Sequence, residues 1–98
     1  MAGLGKAARG KRRWIGLRIP NGAASRASCE ELLKAVLEGL QWKMYDHIPG
    51  PDESATAIIR VPLYDCESAT SRINSEKGWR TLTRSGKIKL VRERLKVD

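Results

Sequence analysis

The stretch from residue 28 to residue 61 decides the predicted fold, and it reads SCEELLKAVLEGLQWKMYDHIPGPDESATAIIRV. Its first part has the spacing of an amphipathic helix, with apolar residues at Leu32, Leu33, Val36, Leu37 and Leu40. The opening residues have the form of a capping box, in which Ser28 caps the helix and Glu31 reaches back to the cap. Gly39 fits the position after a helix end.

The period of the apolar residues changes to two after Gly39, and this predicts a strand. One face would carry Leu40, Trp42, Met44 and Asp46, and the other Gln41, Lys43, Tyr45 and His47. The sequence PGPD at 49–52 has the composition of a turn. Residues 55–61 then form a second strand, so that 41–61 is predicted to be a hairpin.

A further strand precedes the helix, because Ile15, Leu17 and Ile19 alternate with other residues over 13–19. After the hairpin, 63–74 is weakly helical, with an inner face of Tyr64, Cys66, Ala69 and Ile73. Residues 78–83 form a fourth strand, with one side made of Trp79, Thr81 and Thr83. A last helix over 87–96 has an apolar stripe of Ile88, Val91 and Leu95.

The predicted order is therefore strand, helix, strand, strand, helix, strand, with one additional C-terminal helix. This βαββαβ order is typical of an α+β, ferredoxin-like (RRM-like) sandwich, in which helices cover one face of a four-stranded antiparallel sheet. A chain of 98 residues forms one domain. We expect a single domain over 11–98 and a flexible basic arm over 1–10.

The net charge of +8 is concentrated at the two ends of the chain. Residues 1–18 carry a net charge of +6, residues 19–76 carry −4 and residues 77–98 carry +6. Basic blocks of this kind indicate a polyanionic partner such as nucleic acid, and the acidic middle favours solvent or a basic protein.

Several other classes of function lack their usual sequence signals. No apolar run has the roughly 18 residues of a membrane span, and the first residues do not resemble a signal peptide, so a cytoplasmic protein is expected. Cys29 and Cys66 have no metal-ligand spacing, and a reduced pair is favoured over a disulfide. The single histidine, His47, has no partner at a catalytic spacing, and phosphate-loop and metal-cluster motifs are missing from the sequence.

Three basic surfaces are candidates for nucleic-acid contact. The first joins phosphate-binding cations to a base-stacking indole in Lys11, Arg12, Arg13 and Trp14, unless the indole packs under another element. The second surface consists of Arg80, Arg84, Ser85, Gly86, Lys87 and Lys89. It is either a helix start that can hold a phosphate or an ordinary capped helix with solvated lysines. The third is equally explained as a solvated helix face, at Arg92, Arg94 and Lys96.

The predicted sheet brings the first two surfaces together. The first and fourth strands of a ferredoxin-like sheet are antiparallel neighbours, so Arg13 should lie near the corner from Arg84 to Gly86. The strand at 57–61 contains no aromatic residue, unlike the base-stacking strands of an RNA-recognition motif. We therefore expect recognition of RNA shape and phosphates rather than of single-stranded bases on the sheet.

Three segments of the chain resemble, in order, motifs of ribonuclease P protein component 2, an archaeal and eukaryotic family. KRRWI at 11–15 resembles its opening basic-aromatic strand, and AIIRV at 57–61 is similar to its GIVRV strand. RTLTRSGKIK at 80–89 looks like its R-T-L-x-x-S-G-x-I-K segment and is the most specific of the three. Leu90 and Val91 stand where the family has more basic residues, and they can instead face a protein.

This resemblance implies a ferredoxin-like fold and a non-catalytic protein subunit of ribonuclease P, an endoribonuclease that removes the 5′ leader of precursor tRNA. The catalytic RNA of that enzyme binds the Mg²⁺ ions, so no cofactor is expected on the protein. The implied partners are ribonuclease P RNA, the barrel-like protein component 3 and other ribonuclease P proteins, with precursor tRNA contacted indirectly. The expected RNA contacts are Lys11, Arg12, Arg13, Trp14, Arg80, Arg84, Ser85, Gly86, Lys87, Lys89 and Arg92.

The sequence leaves two other functions open. A general nucleic-acid-binding or ribosome-associated module would use the same basic ends. A small ferredoxin-like hydrolase is a further alternative, although the glycine-rich phosphate loop with an arginine that such enzymes use is not visible in the sequence.

Overall fold

A computed structural model describes residues 11–96. The expected arm at 1–10 and the last two residues lie outside the described residues. The described elements are β1 (Arg12–Ile19), α1 (Arg26–Val36), β2 (Lys43–Pro49), β3 (Ala55–Pro62), α2 (Cys66–Ser75), β4 (Arg80–Ser85) and α3 (Ile88–Leu95). All seven were predicted from the sequence, with ends that differ by up to three residues.

The four strands form one open antiparallel sheet in the order β2-β3-β1-β4. The predicted α+β class with a four-stranded antiparallel sheet is confirmed, and the arrangement is compatible with a ferredoxin-like fold. The expected contact between the first and fourth strands is also present, because Trp14 pairs with Ser85 and Ile15 pairs with Arg84. β1 is a central strand, so its side chains face elements on both sides of the sheet.

The main core lies between the sheet and the helices α1 and α2. Alternate residues of β1 and β3 point into it, and they meet Leu33 of α1 and Ile73 of α2, all fully buried. We call this side of the sheet the core face. The predicted inner face of α2 is confirmed for Cys66, Ala69 and Ile73, but Tyr64 is 65% exposed because it lies in the short 3₁₀ turn before the helix.

The C-terminal helix α3 packs on the opposite side of the sheet, which we call the α3 face. A Cβ added at Gly16 would lie 2.6 Å from Leu95 Cδ1 and 3.2 Å from Val91 Cγ1. Gly16 lies between Ile15 and Leu17, which point into the core, so Gly16 faces the opposite side of the sheet. Val91 and Leu95 therefore pack on that opposite side. The prediction that helices cover one face only is therefore wrong, since the apolar stripe of α3 needs its own sheet surface to bury against.

The start of α1 also differs from the prediction. The helix begins at Arg26, and its cap is Ser25 rather than Ser28. The Ser25 hydroxyl accepts a hydrogen bond from Ser28 N at 3.1 Å, and Ser25 N donates to Ser28 Oγ at 3.2 Å. Ser28 thus takes the place that Glu31 has in the predicted capping box. Tertiary contact favours the earlier start, because Arg26 Nη2 donates to Met44 O of β2 at 3.0 Å.

A bulge in β2 changes which side chains share a face. The register with β3 shifts between Met44 and Asp46, so that one extra residue is inserted there. Asp46 consequently moves to the α3 face, opposite Ile58. His47 moves to the core face, where its Nε2 donates to Ala23 O at 2.7 Å and ties the loop before α1 to the sheet. The predicted faces of Asp46 and His47 are therefore wrong.

We expect Val91→Ala to lower the free energy of unfolding by about 2 kcal/mol, because two methyl groups leave a fully buried site and a cavity remains. Leu90→Ala is the control, since Leu90 is the neighbouring residue and is 38% exposed. Denaturant titration measures both variants. Equal losses at the two positions would contradict the packing of α3 through Val91.

Candidate nucleic-acid interface

Trp14, Arg60 and Lys43 form a row across three neighbouring strands on the α3 face. Trp14 of β1 is paired with Arg60 of β3, which is paired with Lys43 of β2. Tyr45 joins the row from the β2 bulge, and its ring centroid lies 4.6 Å from that of Trp14 at an interplanar angle of 77°. This is the edge-to-face geometry that aromatic pairs favour. We call Trp14, Lys43, Tyr45 and Arg60 the aromatic cluster.

The two cations of the aromatic cluster lie over its rings. The guanidinium carbon of Arg60 is 5.3 Å from the Tyr45 centroid and 5.9 Å from the Trp14 centroid. Lys43 Nζ is 5.5 Å from the Tyr45 centroid. These distances are within the cation–π range of about 6 Å. Neither cation forms an ion pair with any residue between 11 and 96, so their charge remains available to an external anion.

A cleft of about 480 Å³ opens beside the aromatic cluster, at the end of the sheet where β1 and β2 begin and β3 ends. Its size is within the range of about 300–1,000 Å³ that is typical of ligand sites. Its lining combines cations with aromatic and amide side chains, namely Arg12, Gln41, Trp42, Lys43, Arg60, Pro62 and Tyr64. We call this the strand-end cleft.

Arg13 lies near the corner at the end of β4, formed by residues 84–86, as predicted. Arg13 Nη1 lies 3.4 Å from the position that a Cβ at Gly86 would take, and it donates to Arg12 O at 3.0 Å. Lys87 N donates to Ser85 Oγ at 3.2 Å. Because Ser85 is paired with Trp14, this corner adjoins the aromatic cluster. Arg13 alternates with Trp14 along β1, so it lies on the core-face side of the sheet, where it lines a recess with Glu67 and Arg84. The two sequence-predicted surfaces thus meet at this end of β1, with Arg13 and Trp14 on opposite faces of the sheet.

Arg84, by contrast, is engaged by the start of α2. Its Nη1 is 3.2 Å from a carboxylate oxygen of Glu67, 3.7 Å from Cys66 Sγ and 3.5 Å from Thr70 Oγ1. The negative charge of Glu67 is the main reason that the pKa of the Arg84 guanidinium is raised. Arg84 therefore has less free charge to offer a phosphate than the sequence pattern indicates.

The other predicted contacts are dispersed. Arg80 is exposed, but its partner in the strand register is Arg18, which lies about 13 Å along β1 from Trp14. Lys89 is an exposed residue of α3. Arg92 makes two hydrogen bonds to the Asp46 carboxylate, at 2.7 and 2.9 Å, and these raise the pKa of its guanidinium. Arg92 thus ties α3 to β2 and is not free for RNA in this arrangement.

Arg94, from the third predicted surface, also contacts its own sheet. Its Nη1 donates to Thr83 Oγ1 at 3.0 Å and to Arg84 O at 3.1 Å. Lys11 and Arg12, from the first surface, are exposed at the start of β1. Three cations that form no ion pair within residues 11–96, namely Arg12, Lys43 and Arg60, thus line the strand-end cleft. Arg92 and Arg94 instead hold α3 against the sheet.

His47, the single histidine of the sequence, makes a structural contact to the loop before α1. His47 donates its Nε2 hydrogen to a backbone carbonyl. No three His, Cys, Asp or Glu side chains between residues 11 and 96 converge as metal ligands. Within the same range, no helix has the length and apolar character of a transmembrane span.

No family model, curated protein or solved structure matches this chain. The function is therefore inferred from the surface chemistry described above and from the motif resemblance in the sequence.

Four residues of this site, Lys43, Tyr45, Arg60 and Tyr64, were not predicted from the sequence. Lys43 and Tyr45 were predicted on the face of their strand opposite Trp42 and Met44, so the alternation of β2 held a signal for them. Arg60 has no such signal, because a single arginine in an apolar strand becomes informative only when Trp14 is known to be its neighbour.

Cys29 should react slowly with alkylating reagents in the native protein. Burial is the main cause that raises the pKa of its thiol to about 11, so at pH 8 almost all of it is protonated and the nucleophilic thiolate is scarce. Peptide mapping after iodoacetamide treatment, with guanidinium-unfolded protein as the control, measures the rate at this residue. Rapid labelling of native Cys29 at pH 8 would contradict its placement in the core.

Proposed function

We propose that this protein binds RNA through the surface around the start of β1, as a non-catalytic subunit of ribonuclease P with a ferredoxin-like fold. The observation that carries the proposal is the row of Trp14, Arg60 and Lys43, in which cations without a protein counter-charge among residues 11–96 lie against aromatic rings. Lysine and arginine neutralise phosphates, and aromatic rings and guanidinium planes stack on bases.

The position of the motif segments supports the more specific role. KRRWI at 11–15 opens β1, AIIRV at 57–61 lies in β3, and RTLTRSGKIK at 80–89 spans β4 and the start of α3. These segments come from distant parts of the chain, yet β3, β1 and β4 are adjacent strands. Under this proposal the catalytic RNA performs the cleavage with its Mg²⁺ ions, and the protein stabilises that RNA beside component 3 and the other protein subunits.

The RNA affinity should depend strongly on salt. Neutralisation of about five phosphates gives a slope of roughly −3.5 to −4.5 for the logarithm of the binding constant against the logarithm of salt concentration. We expect Arg12→Ala and Lys87→Ala each to weaken binding several-fold at low salt and to reduce that slope by about 1.

Lys34→Ala is the matched control, because Lys34 is an exposed cation on α1, which packs on the core face of the sheet. Fluorescence anisotropy with ribonuclease P RNA provides the measurement. If all three variants weakened binding equally, the charge would act diffusely and the proposed surface would be wrong.

Reconstitution with the cognate catalytic RNA and component 3 tests the assignment to ribonuclease P. At moderate Mg²⁺ concentration we expect omission of this protein to reduce the cleavage of precursor tRNA, because the RNA loses cationic support. The Lys34→Ala protein serves as a positive control and should restore cleavage. Unchanged cleavage without the protein would contradict the assignment to ribonuclease P. In a separate binding experiment, equal affinity for ribonuclease P RNA and for unrelated duplexes would favour a general nucleic-acid-binding module.

A further inference from the structure

We propose that the strand-end cleft binds an unpaired nucleotide, so that the protein contacts a single-stranded segment of its RNA through a base as well as through phosphates. This inference rests on the proposed RNA-binding function and names the class of RNA element that the surface takes. It differs from the expectation for the sheet, which was based on the lack of an aromatic residue in β3.

The first argument comes from the position of Arg60. This side chain lies over two aromatic rings, at 5.3 and 5.9 Å from their centroids. A guanidinium that is held in this way forms a planar stacking surface, with little rotamer freedom left to lose when a base binds. In this proposal β3 contributes to base stacking through Arg60, whose neighbour on β1 is Trp14.

The second argument comes from the other walls of the cleft. Tyr64 is 65% exposed, which is more than any other large apolar or aromatic side chain described in residues 11–96. Its ring is thus accessible to a ligand in the cleft that it lines. Gln41 lies on the same cleft, and its side-chain amide makes no hydrogen bond with another residue in the described range. An amide offers both donors and an acceptor to the edge of a base.

The third argument concerns the kind of RNA that can use these groups. In a duplex the faces of the bases are covered by their neighbours, so neither a guanidinium plane nor a tyrosine ring can stack on them. A-form RNA is contacted mainly through its phosphates and 2′-hydroxyls, and that contact needs only cations and polar groups. A recess that combines Arg12, Lys43 and Arg60 with aromatic walls is therefore matched to an unpaired nucleotide with its phosphate.

The test uses the full chain and three fluorescently labelled probes: a ten-nucleotide uridine strand, an abasic strand with the same number of phosphates, and a mixed-sequence RNA duplex. We expect the uridine strand to bind at least about fivefold more tightly than the abasic strand, as base stacking on protein groups predicts. Anisotropy at a fixed low salt concentration measures all three affinities.

Two variants locate the effect. Tyr64→Ala removes an exposed ring, and Arg60→Lys keeps the charge but removes the guanidinium plane. Each should weaken uridine-strand binding by about fivefold and leave the abasic and duplex affinities within about twofold. The matched controls are Leu82→Ala, at a 40% exposed apolar residue of β4, and Arg72→Lys on α2. Both should bind all probes like the unmodified protein, and circular dichroism should show that every variant is folded.

The outcomes separate the two proposals. If the protein binds structured RNA, but the abasic and uridine strands bind equally or the Tyr64 and Arg60 variants change nothing, the nucleotide site is overturned and RNA binding stands. This result is also the one expected if the cleft holds a protein segment. If no RNA binds at low salt, the proposed function itself is overturned.

Discussion

The packing of α3 on the sheet depends on the missing side chain at Gly16. This residue lies in the middle of the central strand β1, opposite Ile58 of β3 and Thr83 of β4. Val91 and Leu95 approach so closely that a Cβ at Gly16 would meet them at 3.2 and 2.6 Å. The gap lets α3 bury its apolar stripe on a sheet face that the core helices α1 and α2 leave uncovered.

This packing determines which basic residues are available to a ligand. The helix is fastened to the sheet by Arg92, which pairs with Asp46, and by Arg94, which donates to Thr83 and to a backbone carbonyl. On the core face, Arg84 is paired with Glu67. Some of the cations behind the net charge of +8 are therefore paired within the protein, and others can contact a ligand. Arg60 and Lys43 lie in the acidic middle of the sequence, yet they stand at the centre of the proposed surface.

The secondary structure of residues 11–96 was largely predictable, because it depends on local patterns of apolar residues. The alternation of Ile15, Leu17 and Ile19 indicated β1, and the spacing of Leu33 and Leu37 indicated α1. The exact start of α1 was not predictable, since two serines compete for the cap and the hydrogen bond from Arg26 to Met44 O favours the earlier one. Such a contact joins residues that are far apart in the sequence.

The candidate site was predicted in part. Basic residues next to Trp14 and a β4 corner near Arg13 followed from composition and strand order, and both lie at the end of the sheet where β1 begins. The bulge in β2 was not visible in the sequence, although it brings Asp46 to the face on which it pairs with Arg92. One inserted residue reverses the faces of all later positions in a strand, because side chains alternate with a period of two.

The sequence by itself determined the order of strands and helices, the class of the fold and the basic character of the two ends, since these follow from residue types and their local spacing. Only the tertiary structure decided which face α3 covers and which cations are paired with carboxylates. It also decided that Trp14, Arg60 and Lys43 stand in one row. The physical reason is that strand register and helix docking join residues such as Trp14 and Arg60, or Asp46 and Arg92, which are 46 positions apart in the sequence. Local patterns carry little information about such pairs.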